Sequence, residues 1–206
     1  SKLRCYALYN AVIYSVRNNI PGDYIECGVW KGGSSMVIAY TLLSLDITDK
    51  KIFLYDTFEG MSEPTEHDDY LPGNIDTKKR WRQSEQKDGC NEWCYSSLEE
   101  VKKNMQKTNY PSANIIYKKG KVEDTLLNIQ DINKIALLRL DTDWYESTKT
   151  EMEILYPLLE KNGVLILDDY GAWAGAKKAV DEYFKTHDIH PLLSRIDEGG
   201  RMMIKV

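Results

Sequence analysis

Residues 135–143 read Ile-Ala-Leu-Leu-Arg-Leu-Asp-Thr-Asp, and residues 164–169 read Val-Leu-Ile-Leu-Asp-Asp. Each is a short apolar run, rich in branched side chains, that breaks on a pair of acids. Runs of this kind bounded by polar residues read as buried strands. Asp141 and Asp143 then follow one strand end, and Asp168 and Asp169 the other. In an open α/β sheet, ligands bind at the carboxyl ends of the strands, so four carboxylates gather where a site belongs. Carboxylates this close repel one another. The cluster needs a compensating cation or a role as a base.

Outward from these two runs, strands and helices alternate. The pattern predicts an opening helix over 3–16, ended before the turn pair Pro21-Gly22. Residues 23–27 read as the first strand and 28–33 as a glycine-bearing loop, with Ser34 capping a helix over 35–45. The second strand covers 51–55 and is closed by Asp56, and the third covers 114–117. A helix over 145–159 joins the two acidic strands and bends or tightens at Pro157. Another helix covers 176–184. Residues 191–196 and 201–206 flank Gly199-Gly200 as an antiparallel hairpin. The stretch 57–99 breaks the rhythm: it is polar, carries Pro64, Pro72, Gly73 and Gly89, and reads as a functional loop, a lid or a disordered segment.

The 206 residues suit one domain with a sizeable core. Apolar residues at 42% and charged residues at 29% are ordinary for a globular chain. A net charge of -5 leaves no basic footprint for nucleic acid. No stretch reads as a membrane span, no signal peptide is visible at the start, and four cysteines are too scattered for a disulfide scaffold. A cytoplasmic protein is the expectation.

Three places carry candidate chemistry. The first is Glu26-Cys27-Gly28-Val29-Trp30-Lys31-Gly32-Gly33-Ser34-Ser35, between a strand and a helix. Glycines let the backbone turn tightly and approach a ligand, and the helix start offers free N–H groups. The spacing is not G-x-G-x-x-G, which argues against a pyrophosphate and a nicotinamide oxidoreductase. Glu26 suits a ligand's ammonium group; the alternative is a structural turn with an exposed glutamate. The second is Asp56, placed as an acid that accepts hydrogen bonds from ribose hydroxyls. The third is the acidic cluster. Asp141, Asp168 and Asp169 could hold a hard divalent ion, leaving Asp143 as a general base. Asp143 with Glu146 also has the spacing of a helix capping box, and Asp168-Asp169 could be a polar turn. Cys90 and Cys94 fall short of the four ligands of zinc sites. His67, in the polar stretch, is a lid residue toward substrate or an exposed loop histidine.

The segments 26–35, 55–60, 140–148 (LDTDWYEST) and 167–171 (LDDYG) resemble the macrocin O-methyltransferase family, with the resemblance running from about Pro21 to Phe184. It implies a class I methyltransferase fold, a Rossmann-like three-layer α/β sandwich around a mostly parallel seven-stranded sheet with an antiparallel C-terminal hairpin strand. It implies one domain over 1–206, with an inserted lid or acceptor segment at about 60–95. It implies Mg²⁺-dependent methyl transfer from S-adenosylmethionine to a sugar hydroxyl on a small glycosylated acceptor, with a phenolic acceptor as the alternative. Carried over, Glu26, Cys27, Gly28, Val29, Trp30 and Lys31 wrap the methionine end of the cofactor, Gly33 and Ser34 also bind the cofactor, Asp56 holds the ribose, and Glu123 stands near the adenine. Asp141, Asp168 and Asp169 hold Mg²⁺, Asp141 also lies beside the cofactor, and Asp143 is the base. Tyr170, Trp173 and His67 are the acceptor candidates. The first helix could serve a subunit interface, so a homo-oligomer stays open, as does a non-catalytic binding module.

Overall fold

A computed structural model describes residues 1–73, 75–85 and 90–206. Gly89 of the polar stretch lies outside them. In chain order the elements are α1 (Lys2–Arg17), β1 (Asp23–Cys27), α2 (Gly33–Ser44), β2 (Ile52–Asp56), α3 (Thr77–Gln83), α4 (Leu98–Gln106), β3 (Ile115–Lys119), α5 (Val122–Thr125), β4 (Ile135–Leu140), α6 (Tyr145–Ile154), β5 (Leu159–Leu167), α7 (Ala174–Thr186), β6 (Ser194–Arg195) and β7 (Arg201–Ile204). The seven strands form one sheet in the order β3-β2-β1-β4-β5-β7-β6. β1 to β5 pair in parallel, and β7 pairs antiparallel with both β5 and β6.

β1 and β4 lie at the centre, flanked on both sides, which is why both read as continuous apolar runs. Alternation of side chains then sorts each strand between two cores. Ile25, Cys27, Leu138 and Leu140 point to one face, where Met152 of α6, Leu155 at its C-cap, and Val180 and Phe184 of α7 cover them. Tyr24 and Leu137 point to the other face, under Leu8 and Val12 of α1 and Ile38 and Leu42 of α2. The same period puts Glu26 and Arg139 on the α1–α2 face, and the parallel register makes them direct neighbours.

Several sequence expectations shift. α2 starts at Gly33, not after a Ser34 cap: Gly32 is the N-cap at φ 82, a left-handed conformation, and no side chain caps the helix. The helix expected over 145–159 stops at Ile154, because the ring of Pro157 cannot continue it. A 3₁₀ turn at Tyr156–Leu158 follows, and β5 already begins at Leu159. The capping box at Asp143 and Glu146 does not form, since Trp144 is the N-cap of α6 and caps it with no side-chain bond.

The stretch 57–99 is built rather than loose where it is described. Asp68 is buried; its Oδ1 accepts from the Tyr145 N–H at 2.8 Å and its Oδ2 from the Thr65 N–H at 2.7 Å. Tyr70 bridges to Trp173, and the Leu71 N–H donates to the Ala172 carbonyl at 2.9 Å. Trp93 packs on Trp144 and Trp173 at centroid distances of 5.7 and 5.9 Å. These contacts seat the segment on the starts of α6 and α7, beside the acidic strand ends. Among the described residues no helix is long and apolar enough to cross a membrane.

Candidate active site

The carboxyl ends of β1, β2, β4 and β5 open into a cavity of about 580 Å³. Its wall on the β1 side is the 28–34 turn. Gly28 sits at φ 80, and a Cβ there would lie 1.9 Å from the Asp141 carbonyl oxygen, so β1 and β4 can approach this closely only with glycine. Trp30 holds a left-handed φ of 46, uncommon for a bulky residue. Asp56 fixes that conformation: its Oδ2 accepts from the Val29 and Trp30 N–H groups at 2.7 and 3.0 Å, and its Oδ1 from the Phe58 N–H at 2.7 Å. Each carboxylate oxygen has two lone pairs, so Asp56 can shape the loop and still meet a ligand hydroxyl.

Across the cavity, Asp141, Asp168 and Asp169 offer oxygens that all lie within 4.8 Å of one another. Among the described residues this is the one group of three or more side chains with metal-ligand spacing. Asp168 and Asp169 do lead into a turn, the Asp169 carbonyl accepting from the Ala172 and Trp173 N–H groups at 2.8 and 2.9 Å, but both side chains are buried rather than solvated. Asp143 stands next to them at φ 65 and its N–H donates to Asp169 Oδ2 at 3.0 Å. Desolvation in the cavity and the neighbouring Asp141 push the Asp143 carboxyl up to about 8. Desolvation likewise raises Asp141 and Asp169, the first against the lowering pull of Arg139 and the second with the charge of Asp143.

The sequence reading missed the cations. Arg139 is 5% exposed near the carboxyl end of β4, and its guanidinium reaches Glu26 Oε1 and Asp168 Oδ1 at 2.6 Å each and Asp141 Oδ2 at 2.8 Å. Its neighbourhood of three carboxylates keeps it protonated against the desolvation that opposes its charge. A guanidinium fork suits such a multiple partner set. Arg4 of α1 reaches Asp168 Oδ2, and its Nε donates to Asp197 Oδ2 at 2.8 Å. The signal was present: an arginine inside an otherwise apolar strand must find partners, and the adjacent strand carries a glutamate at its end. What the sequence withholds is the register that joins them.

Glu26 is 1% exposed, so the exposed-glutamate alternative falls. It lines the cavity floor with one oxygen on Arg139 and the other accepting from the Ser35 hydroxyl. Glu123 lines the same cavity and accepts from the Ser147 hydroxyl at 3.0 Å. Gly28, Val29, Trp30, Gly33, Ser34, Asp56, Asp141, Asp143, Asp168, Asp169 and Trp173 are all brought to this one cavity. Cys27, Lys31, His67 and Tyr170 are not in its lining. Cys27 points into the core beneath α6, and Lys31 lies over the Trp30 ring. His67 packs edge-on against Tyr145 at 4.8 Å, and the Tyr170 hydroxyl donates to Asp181 at 2.6 Å on α7. Cys94 joins the lining without forming part of a metal-ligand group.

The model of the macrocin-O-methyltransferase (TylF) family matches residues 2–205. Demethyldecarbamoylnovobiocin O-methyltransferase of Streptomyces niveus is 33% identical over 185 residues, covering 90% of this chain and 66% of that protein. The 8-demethyl-8-(2,3-dimethoxy-alpha-L-rhamnosyl)-tetracenomycin-C 4'-O-methyltransferase of Streptomyces olivaceus is 32% identical over 183 residues, covering 89% and 66%. The chain thus spans just under two thirds of the length of these two relatives. The solved structure of the O-methyltransferase NovP superposes with a TM-score of 0.85 at 30% identity, covering 99% of this chain and 80% of that one.

Proposed function

This chain belongs to the macrocin-O-methyltransferase family, and from that premise we propose that it methylates a hydroxyl of a sugar-bearing small molecule, with S-adenosylmethionine as donor and Mg²⁺ as metal. The observation that carries the reading is the meeting of Asp141, Asp168 and Asp169 in the same cavity that the Gly28 turn borders. The two relatives, a novobiocin-type and a rhamnosyl-tetracenomycin O-methyltransferase, support the acceptor class.

The residues fit both groups. Three carboxylate oxygens that converge on one point are a donor set for a hard divalent ion, and Arg4 and Arg139 already place positive charge on it. The Gly28–Ser34 turn, Asp56 and Glu123 line the remainder of the cavity, as a nucleoside with an amino-acid end requires. When bound, S-adenosylmethionine supplies the methyl group, and Mg²⁺ supplies charge that orients the acceptor oxygens and lowers the pKa of the attacking hydroxyl.

This chain's own residues do the rest. Glu26 and Asp56 fix the two ends of the cofactor turn, so the donor is held in one pose; orientation of this kind is the larger share of the rate gain. Trp173 and Met61 close the acceptor side and limit water. Asp143 accepts the hydroxyl proton on a carboxylate oxygen as the acceptor oxygen gains the methyl group. A divalent ion held by Asp141, Asp168 and Asp169 would offset the negative charge that adds to desolvation in raising Asp143, so Asp143 would meet the hydroxyl as a carboxylate. From the segment at about 60–95, Gly60, Met61, Ser62 and Cys94 contribute to the acceptor-side wall.

The test is methyl transfer from labelled S-adenosylmethionine to a panel of glycosides and catechols, with Mg²⁺ and with a chelator. Metal-dependent labelling of glycosides is the expected result. Labelling of catechols alone would reassign the acceptor, and labelling unaffected by chelation would remove the metal.

A further inference from the structure

Arg4 lies where a metal cation would compete with it. Asp168 has two oxygens, and each is already met by a guanidinium: Oδ1 by Arg139 at 2.6 Å and Oδ2 by Arg4. The two arginines are not equivalent. Arg139 projects from a central strand, its side chain is 6% exposed, and Glu26 and Asp141 hold it from two further sides. It has no room to leave. Arg4 sits on the first turn of α1 with its side chain 28% exposed. It has a second carboxylate in hand: its Nε is 2.8 Å from Asp197 Oδ2. Asp197 is in turn pinned in the β6–β7 turn, its Oδ1 accepting from the Gly199 and Gly200 N–H groups at 3.1 and 2.8 Å.

We infer that Arg4 is a built-in competitor for the metal site, holding Asp168 Oδ2 and surrendering it to the divalent cation by shifting onto Asp197. The inference rests on the Mg²⁺ reading above. Two cations on one carboxylate oxygen repel strongly at this distance, so the ion and Arg4 cannot share Oδ2 at full strength. Arg4 also lines the cavity with Cys5 of the same helix turn. Metal loading therefore moves a charged side chain on the cavity wall, and α1 senses whether the site is charged.

The experiment is calorimetric titration of Mg²⁺ into wild type, Arg4→Gln, Asp197→Asn and the double variant, with no substrate and no turnover. Arg4→Gln is expected to bind Mg²⁺ roughly tenfold tighter or more, because the competitor is gone. Asp197→Asn is expected to bind more weakly, because Arg4 has lost its alternative partner. The double variant decides between competition and plain through-space charge. If Arg4 is the intermediary, Asp197→Asn changes nothing on the Arg4→Gln background. Equal weakening by Asp197→Asn on both backgrounds, or Mg²⁺ binding by Arg4→Gln no tighter than wild type, overturns the inference. Arg4→Lys gives a second variant that preserves charge and fold; a lysine cannot bridge both carboxylates as the fork does, so it too should bind Mg²⁺ more tightly than wild type. If neither wild type nor Arg4→Gln takes up Mg²⁺, the metal reading itself falls, and the inference falls with it.

Discussion

Arg139 organises the site from inside a core strand. Three carboxylates surround it, and together they form a buried ion network whose members satisfy one another. Breaking such a network from one side is costly, because the remaining charges stay buried without compensation. Arg139→Met should therefore lower stability by about 3–5 kcal/mol, read by denaturant unfolding. Asp143→Asn makes the opposite prediction: the side chain keeps its shape, so fold and Mg²⁺ affinity should persist while turnover falls ~10²–10⁴-fold. Wild-type turnover in that variant would take Asp143 out of the mechanism. Glu151 is a third kind of acid. It is fully buried on α6, its Oε1 has no N–H or O–H partner among the described residues, and desolvation raises its pKa well above the ordinary value. A carboxyl raised in the fold keeps its proton there while the unfolded chain releases it. Stability from this group thus falls as pH rises above the unfolded carboxyl range. Glu151→Gln should raise the melting temperature at pH 8, by about 2–4 °C per kcal/mol recovered, and less at pH 5. An equal shift at both pH values would contradict a buried neutral acid.

At the scale of elements, the strand ends do the positioning. β1 and β4 run side by side, and Gly28 lets the 28–34 turn cross directly over Asp141. Gly28→Ala forces a Cβ onto a backbone oxygen at a φ that L residues avoid, a strain of roughly 1–3 kcal/mol before any clash is relieved. Loss of S-adenosylhomocysteine affinity with residual folded protein is the expected outcome, followed by fluorescence titration and circular dichroism. Unchanged affinity would show that the turn does not bind the cofactor. Both acidic strands were legible, because their apolar runs are unbroken and their acids abrupt. α4 was not, although its signal exists: Ser97 caps it with a bond to the Glu100 N–H, and Val101 and Met105 fall one turn apart on its buried face. The proline- and glycine-rich polar stretch before it masked the start. α3 has a similar history, with Asp76 as its cap and only Thr77 buried, so no apolar period announces it.

For the molecule as a whole, the sheet order places β1 and β4 at the crossover, where the strand sequence reverses direction, and the cavity opens there. Alternating strands and helices made that architecture readable, and the hairpin glycines made the antiparallel edge readable. The charge balance was not readable, because it depends on contacts between residues far apart in sequence: Arg4 with Asp168, and Glu26 with Arg139. His67 and Tyr170, expected toward the acceptor, lie outside the cavity lining and pack on Tyr145 and Asp181, contacts that sequence does not reveal. In the proposed function, the acidic strand ends hold a metal that works with a bound methyl donor. Its most direct test is calorimetry of S-adenosylhomocysteine and Mg²⁺ binding to wild type and Asp168→Asn. Wild type is expected to bind both, and the variant to lose the Mg²⁺ heat while keeping S-adenosylhomocysteine. A wild type that binds no S-adenosylhomocysteine, or an Asp168→Asn variant that binds Mg²⁺ as wild type does, would contradict it.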